Sequence, residues 1–294
     1  MIAVFAQALT PIILLAGLGI LLSKKTQYLD SPQLGALVSN IGIPALLLHS
    51  ILNMKMELSG MLSLVFVTII ILFLVGLASF LFLKLLKLPV RFYLPPLVNP
   101  NTGNLGTPVA YALFGNEGLT VAIVVSSVVQ ISHFTLGVGF MSGSYHPKQL
   151  LKNGPVLALL AGALLSALQV SLPAPVMNTL GMLSAITLPI MLMLLGKSLA
   201  SLTIGDRSKI KRVVSFSLFR PLVGAGVAAL VAPFFGFNSI ESATIIMLHG
   251  MSVAVISYML ATRFSGPKDE IALMIMLSLP VSLGVAGMVW WLYQ

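Results

Sequence analysis

Asn99-Pro100-Asn101-Thr102-Gly103-Asn104-Leu105-Gly106-Thr107-Pro108 interrupts an apolar run with three amides, two prolines and two glycines. Proline removes a backbone donor and clashes with the turn before it, and glycine adds backbone entropy, so a regular helix cannot run through this stretch. The sequence on either side is apolar enough for a bilayer. In hydrocarbon, backbone groups released by unwinding are tolerated only where they line a protein-enclosed, wet cavity. A polar break inside a span therefore reads as a transport site, and the rest of the chain as the frame around it.

The frame is a membrane one. The 294 residues are 58% hydrophobic and 8% charged, with a mean hydropathy of +1.06, against about 25% charged residues in a soluble domain. Taking about 20 apolar residues per span, ten spans are read, at 3–23, 32–52, 61–83, 92–114, 119–141, 154–172, 176–199, 213–236, 239–261 and 270–292. The first apolar run has no basic residue ahead of it and Lys24 and Lys25 behind it. That is the reverse of a secretory signal, so it is expected to be a retained span.

Charge reports topology here rather than a nucleic-acid partner, despite the net +9. Fourteen of the 16 basic residues fall in odd-numbered loops: Lys24 and Lys25; Lys84, Lys87 and Arg91; Lys148 and Lys152; Lys197, Arg207, Lys209, Lys211 and Arg212; Arg263 and Lys268. Lys55 lies in an even loop, and Arg220 lies inside a span. The positive-inside bias then places the odd loops in the cytoplasm and both termini outside, in an inner membrane. Trp290, Trp291 and Tyr293 suit an interfacial anchor at the end of the last span.

The two halves look like copies. Leu15-Ala16-Gly17 recurs as Leu160-Ala161-Gly162, Pro44 matches Pro189, Tyr111 matches Tyr258, and Leu136-Gly137-Val138 matches Leu283-Gly284-Val285, in order and at a nearly constant offset. These pairs join span n to span n + 5. Five being odd, the second copy is inverted, so residues 1–146 and 147–294 read as two inverted five-helix repeats of an all-α polytopic protein. The counterpart of the first break is Leu248-His249-Gly250-Met251-Ser252 in span 9. Spans 4 and 9 are thus expected to be broken, with spans 2 and 7 bent beside them at Asn40-Ile41-Gly42-Ile43-Pro44 and at Pro189.

Asn99-Pro100-Asn101-Thr102 resembles the Asn-Pro-Asn-Thr signature of the auxin efflux carrier family, whose bacterial members resemble malonate and malate permeases. The ten spans and the repeat fit the same family. The resemblance implies that helices 4 and 9 cross, that a scaffold and a transport domain are each built from both repeats, and that the substrates are carboxylates. The chain lacks the long central hydrophilic loop of the plant carriers, spans 5 and 6 being joined only around Ser144–Asn153. Gly103-Asn104-Leu105 also replaces a bulkier, hydroxyl-rich run after the signature, which argues against indole substrates.

The candidate substrate-binding residues are Asn99, Asn101, Thr102, Asn104, Pro108, Asn40, Pro44, Pro189, His249, Gly250, Ser252 and Arg220. Half-helix N-termini downstream of a break offer positive dipole to an anion. Arg220 could fork onto a carboxylate or snorkel to the cytoplasmic interface beside Arg212. No acidic residue sits in a span core, which leaves His249 as the best proton relay, with His49 and His133 read as hydrogen-bonded structural groups. Absence of cysteine, of a Walker loop and of a nucleophile–base pair excludes thiol chemistry, ATP-driven pumping and an enzyme; no cofactor or metal is expected.

The expectation is a secondary transporter of small organic anions, mono- or dicarboxylates such as malonate or malate, working by alternating access. A sodium-coupled symporter of bile-acid-like anions and an anion channel are the alternatives. H⁺ or Na⁺ coupling and a homodimer stay open; the other partner is the lipid bilayer, not nucleic acid.

Overall fold

The computed structural model describes residues 2–53, 58–143, 154–200 and 209–293. Lys55, Lys148, Lys152 and Arg207, used in the charge argument, and the Ser144–Asn153 connection lie outside the described residues. What is described is helical, the lone β feature among these residues being an isolated bridge.

The helices are α1 (Ile2–Lys25), α2 (Pro32–Leu37), α3 (Ile43–Asn53), α4 (Leu58–Leu85), α5 (Val90–Val98), α6 (Thr107–Ser132), α7 (Val138–Ser142), α8 (Gly154–Ala167), α9 (Ala174–Ala200), α10 (Ile210–Val231), α11 (Ser239–His249), α12 (Val255–Arg263) and α13 (Lys268–Leu292). Wide π-type turns at Val38–Gly42, Thr102–Gly106 and His133–Gly137 join α2 to α3, lead into α6 and join α6 to α7. Among the described residues, five helical stretches are long and apolar enough to cross a membrane: Ser59–Leu85, Thr102–Ser142, Ala174–Lys197, Ile210–Phe235 and Lys268–Leu292. Faces such as Phe66, Ile69, Phe73, Leu77 and Phe80 of α4 are exposed, as lipid-facing residues are.

Local chemistry sets the element ends. Gly115 adopts φ 63° and ψ −151°, a conformation open in practice to glycine alone, and folds α6 into two arms. α11 begins with a capping box: Asn238 accepts from the Glu241 amide at 2.9 Å and Glu241 accepts from the Asn238 amide at 3.0 Å.

Two groups of helices emerge from the packing. α1 lies along α9, and α3 packs on α8 and α9. Small residues make the first contact close: a β-carbon on Gly19 would strike the Met193 carbonyl, and one on Gly196 the Ala16 carbonyl. In the other group α10 packs on α13, α11 and α4, α4 packs on α5 and α6, and α11 packs on α6. The groups meet where α9 touches the Thr102–Gly106 turn and where α3 and α1 touch α6.

The basic loops gather at one end. Glu270 at the start of α13 binds Lys209 at 2.9 Å and Arg212 at 2.6 Å and accepts from the Tyr93 hydroxyl at 2.8 Å. Arg91 donates to the Met141 carbonyl at 2.9 Å, and Lys197 pairs with Asp30 at 3.1 Å. At the other end the turn after Gly115 meets the start of α11, Asn238 donating to Glu117 at 2.8 Å.

Candidate functional site

Both polar stretches break their helices, and the breaks touch. α5 stops at Val98, where the Asn99 amide and side-chain Nδ2 both reach the Pro95 carbonyl, at 3.1 and 3.2 Å. Pro100 then forms an isolated antiparallel bridge with Val253, and the Asn101 amide donates to the Ser252 carbonyl at 2.9 Å. The chain re-enters a helix through a wide turn closed by Gly106 N–H to Asn101 carbonyl, 2.9 Å, and by the Thr107 hydroxyl on the Thr102 carbonyl, 3.0 Å. The second break runs from Gly250 to Ala254, between α11 and α12, and the Ser278 hydroxyl of α13 accepts from the Val253 amide at 3.0 Å. Two half-helices therefore end and two begin around one two-stranded crossing.

Glycines permit the approach. A β-carbon on Gly106 would stand 2.8 Å from Leu248 and 3.2 Å from Met251; one on Gly250 would stand 2.6 Å from Val285. Both are positions where backbone meets neighbouring side chain with no room between.

Arg220 completes the site from α10. Its side chain is 1% exposed, so it does not snorkel; Nη1 instead donates to the His249 carbonyl at 2.8 Å, at the C-terminus of α11. A guanidinium there complements the negative end of the half-helix dipole. Gly224, one turn further along α10, makes this geometry available, because a β-carbon would collide with the same carbonyl and with Nη1. Among the described residues the ion pairs are those of Asp30 and Glu270, and Arg220 enters none.

The crossing is rich in buried polar atoms with no protein partner: Asn99 Oδ1, Asn101 Nδ2, Ser252 Oγ, His249 Nε2 and Arg220 Nε. Most buried polar groups in folded proteins are satisfied, so such a concentration marks a place built for something other than packing.

Of the residues singled out from sequence, Asn99, Asn101, Thr102, Pro108, His249, Gly250, Ser252 and Arg220 are buried around the crossing. Asn104 is half-buried in the turn that follows. Pro44 and Pro189 are half-buried in α3 and α9, helices that meet closely where Gly42 faces Thr187. Asn40 is exposed, in the wide Val38–Gly42 turn. Sequence reasoning missed Ser278, Ser126, whose hydroxyl lies 3.2 Å from that of Thr107, and Gln130, whose Nε2 stands 3.6 Å from the place a Gly103 β-carbon would occupy. Nothing in their local sequence distinguishes them from other polar residues on apolar helices. His49, Met177, Asn178, Gly181, Met182 and Ala185 line a separate, open cavity of about 500 Å³ between α3 and α9. Among the described residues no cluster of three or more acidic or histidine ligands could hold a metal.

An all-helical membrane protein whose polar groups converge on paired helix breaks belongs by architecture with transporters. Residues 4–150 match the profile of the family described as membrane transport protein, and the chain belongs to that family, which takes in the auxin efflux carriers. The family is one of transporters, not of enzymes. An uncharacterized transporter of Methanocaldococcus jannaschii is 27% identical over 201 residues, which cover 65% of this chain and 65% of that protein's length.

Proposed function

We propose that the protein is a secondary active transporter of small organic anions, most directly mono- or dicarboxylates, bound at the crossing of the two helix breaks. The observation that carries this reading is Arg220: a buried guanidinium with no carboxylate beside it, its Nε unpartnered and its Nη1 on the carbonyl of His249, three residues before the Ser252 whose carbonyl takes the amide of Asn101, a residue whose side-chain Nδ2 is likewise unpartnered. A carboxylate would supply acceptors to both and a negative charge to the guanidinium. Asn99, Thr102, Ser252 and the half-helix start after Asn101 would complete the lining, with Gly250 and Pro108 shaping the backbone.

In this reading the chain has ten spans in two inverted repeats, residues 1–146 and 147–294. α1, α3, α8 and α9 form the scaffold, and the group around α10 and α11 carries the site past it by alternating access. Pro44 and Pro189 bend the scaffold helices at the boundary. The odd loops face the cytoplasm.

The test is a carboxylate panel on purified protein by thermal shift, followed by counterflow in proteoliposomes, since ligand stabilisation follows occupancy. The expected result is stabilisation by at least one small carboxylate and saturable counterflow of it. No stabilisation across mono- and dicarboxylates, or an unsaturable conductance, would overturn the reading.

A further inference from the structure

Arg220 is fixed to the crossing and keeps its charge. A guanidinium stays protonated inside proteins. Its Nη1 is tied to the backbone carbonyl of His249 at 2.8 Å, and the side chain is 1% exposed. That tie joins α10 to the end of α11, two helices of one packed group, and needs no ligand to hold it. Gly224 lets the two helices approach so closely that a β-carbon there would meet both the carbonyl and Nη1. When the crossing moves, this positive charge moves with it.

No acid of the chain stands where it could neutralise that charge. There are seven. Asp30 is paired with Lys197, and Glu270 with Lys209 and Arg212, Asp269 being its neighbour in the first turn of α13. Arg212 is itself about 12 Å along α10 from Arg220. Glu117 and Glu241 share Asn238 at the opposite end of the molecule. Glu57 and Asp206 lie outside the described residues. In sequence Glu57 adjoins Leu58, which is about 36 Å along α4 from Phe82, the ring that stacks on Phe219 at 4.2 Å. Asp206 comes before Ile210, about 15 Å along α10 from Arg220. Arg263 ends α12 with its side chain outside the described residues, and a second cation cannot compensate the first.

Alternating access takes the site across the membrane in two half-cycles, one loaded and one empty. A monocarboxylate beside Arg220 makes a compensated pair. Without it the moving group carries an uncompensated guanidinium through a low-dielectric interior, the expensive case for any buried charge. The empty half-cycle is then the slow one, and an anion picked up on the far side lets the site return quickly.

We propose that the protein works chiefly as an exchanger, trading one carboxylate for another across the membrane, because Arg220 needs an anion beside it for both passages. This inference rests on the carboxylate site proposed above and adds the mode of transport.

The test uses the purified full-length protein in liposomes, with labelled pyruvate, a monoanion, and labelled malonate as probes, each at saturating concentration. The lumen holds either the same unlabelled acid or zwitterionic buffer alone, and potassium with valinomycin carries compensating charge. The expected result is entry of label into acid-loaded liposomes about tenfold or more faster than into unloaded ones. A potassium diffusion potential of either sign should leave pyruvate exchange unchanged. Pyruvate entry into unloaded liposomes should quicken when the lumen is positive, since the empty site then returns its positive charge outward down the field, and slow when the lumen is negative. In Arg220→Gln, whose empty site carries no guanidinium, the ratio of loaded to unloaded entry should fall toward one. Equal entry under the two loadings, pyruvate exchange that follows the potential, or a ratio unchanged in Arg220→Gln overturns the exchange and leaves the carboxylate site standing. If only malonate is carried, its loaded-to-unloaded ratio decides. Should the Gln variant fail to fold, the wild-type measurements decide. No uptake of either acid under either loading overturns both readings.

Discussion

At the scale of single residues, the proposed carboxylate site turns on how Arg220 is held. Its Nη1 bond to the His249 carbonyl, 2.8 Å long, leaves Nε aimed at no protein acceptor. Arg220→Lys keeps the charge and can still reach that carbonyl, but it has no second donor in a rigid plane. Carboxylate affinity of the purified Lys variant should fall by the equivalent of about 1.5–3 kcal/mol, the worth of a charge-assisted bond, and further in Arg220→Gln. Wild-type affinity in the Lys variant would remove Arg220 from the substrate. Gly224 offers a complementary test. Alanine there forces the His249 carbonyl and the guanidinium apart, an overpacking that should cost about 1–3 kcal/mol and lower the melting temperature without any change of charge. An unshifted melt would mean that α10 and α11 are less closely docked than Gly224 makes them.

At the scale of elements, the half-helices need their own ends secured. The capping box on α11 does this about 16 Å from His249, given eleven residues at about 1.5 Å each, and its Asn238 also bonds Glu117 in the turn beyond Gly115. Asn238→Ala should destabilise the protein by about 1 kcal/mol while leaving substrate affinity near wild type; a large loss of affinity at normal stability would tie the outer turns to the site. The elements also show what the sequence could disclose. Asn99–Pro108 was legible as a break because two prolines and three amides in an apolar run conflict with a continuous helix. The partner break lacks proline and was found by its position in the repeat read from the sequence; its unwound part runs to Ala254, two residues beyond Ser252. Ser278, Gln130 and Gly224 were not legible in these roles, since each acts through an approach between distant segments that no local pattern encodes. Asn40, a polar residue beside a bend, sits exposed in the wide Val38–Gly42 turn. The double role of Gly115, ending one arm and starting the next, was hidden among the 25 glycines.

At the scale of the whole molecule, contacts among distant loops bear on orientation. Segments carrying Arg91, Tyr93, Arg212 and Glu270 are joined at one end by hydrogen bonds and an ion pair, and Glu117 and Asn238 meet at the other. With ten spans, fourteen basic residues would fall in odd-numbered loops, and the positive-inside bias then predicts that the first end faces the cytoplasm. The chain contains no cysteine, so single cysteines can be introduced and read without background. Asn116 and Ser265 are both exposed and sit in turns at the two ends. In intact cells a membrane-impermeant maleimide should label Asn116→Cys, whereas Ser265→Cys should react only after the membrane is opened. A reporter that fluoresces only in the cytoplasm should be dark when fused after Gln294. The reverse labelling pattern would invert the molecule in the membrane. Labelling of both positions from the same side would break the alternation of loops on which the inverted repeat depends, and with it the expectation that the two helix breaks meet the substrate from opposite directions.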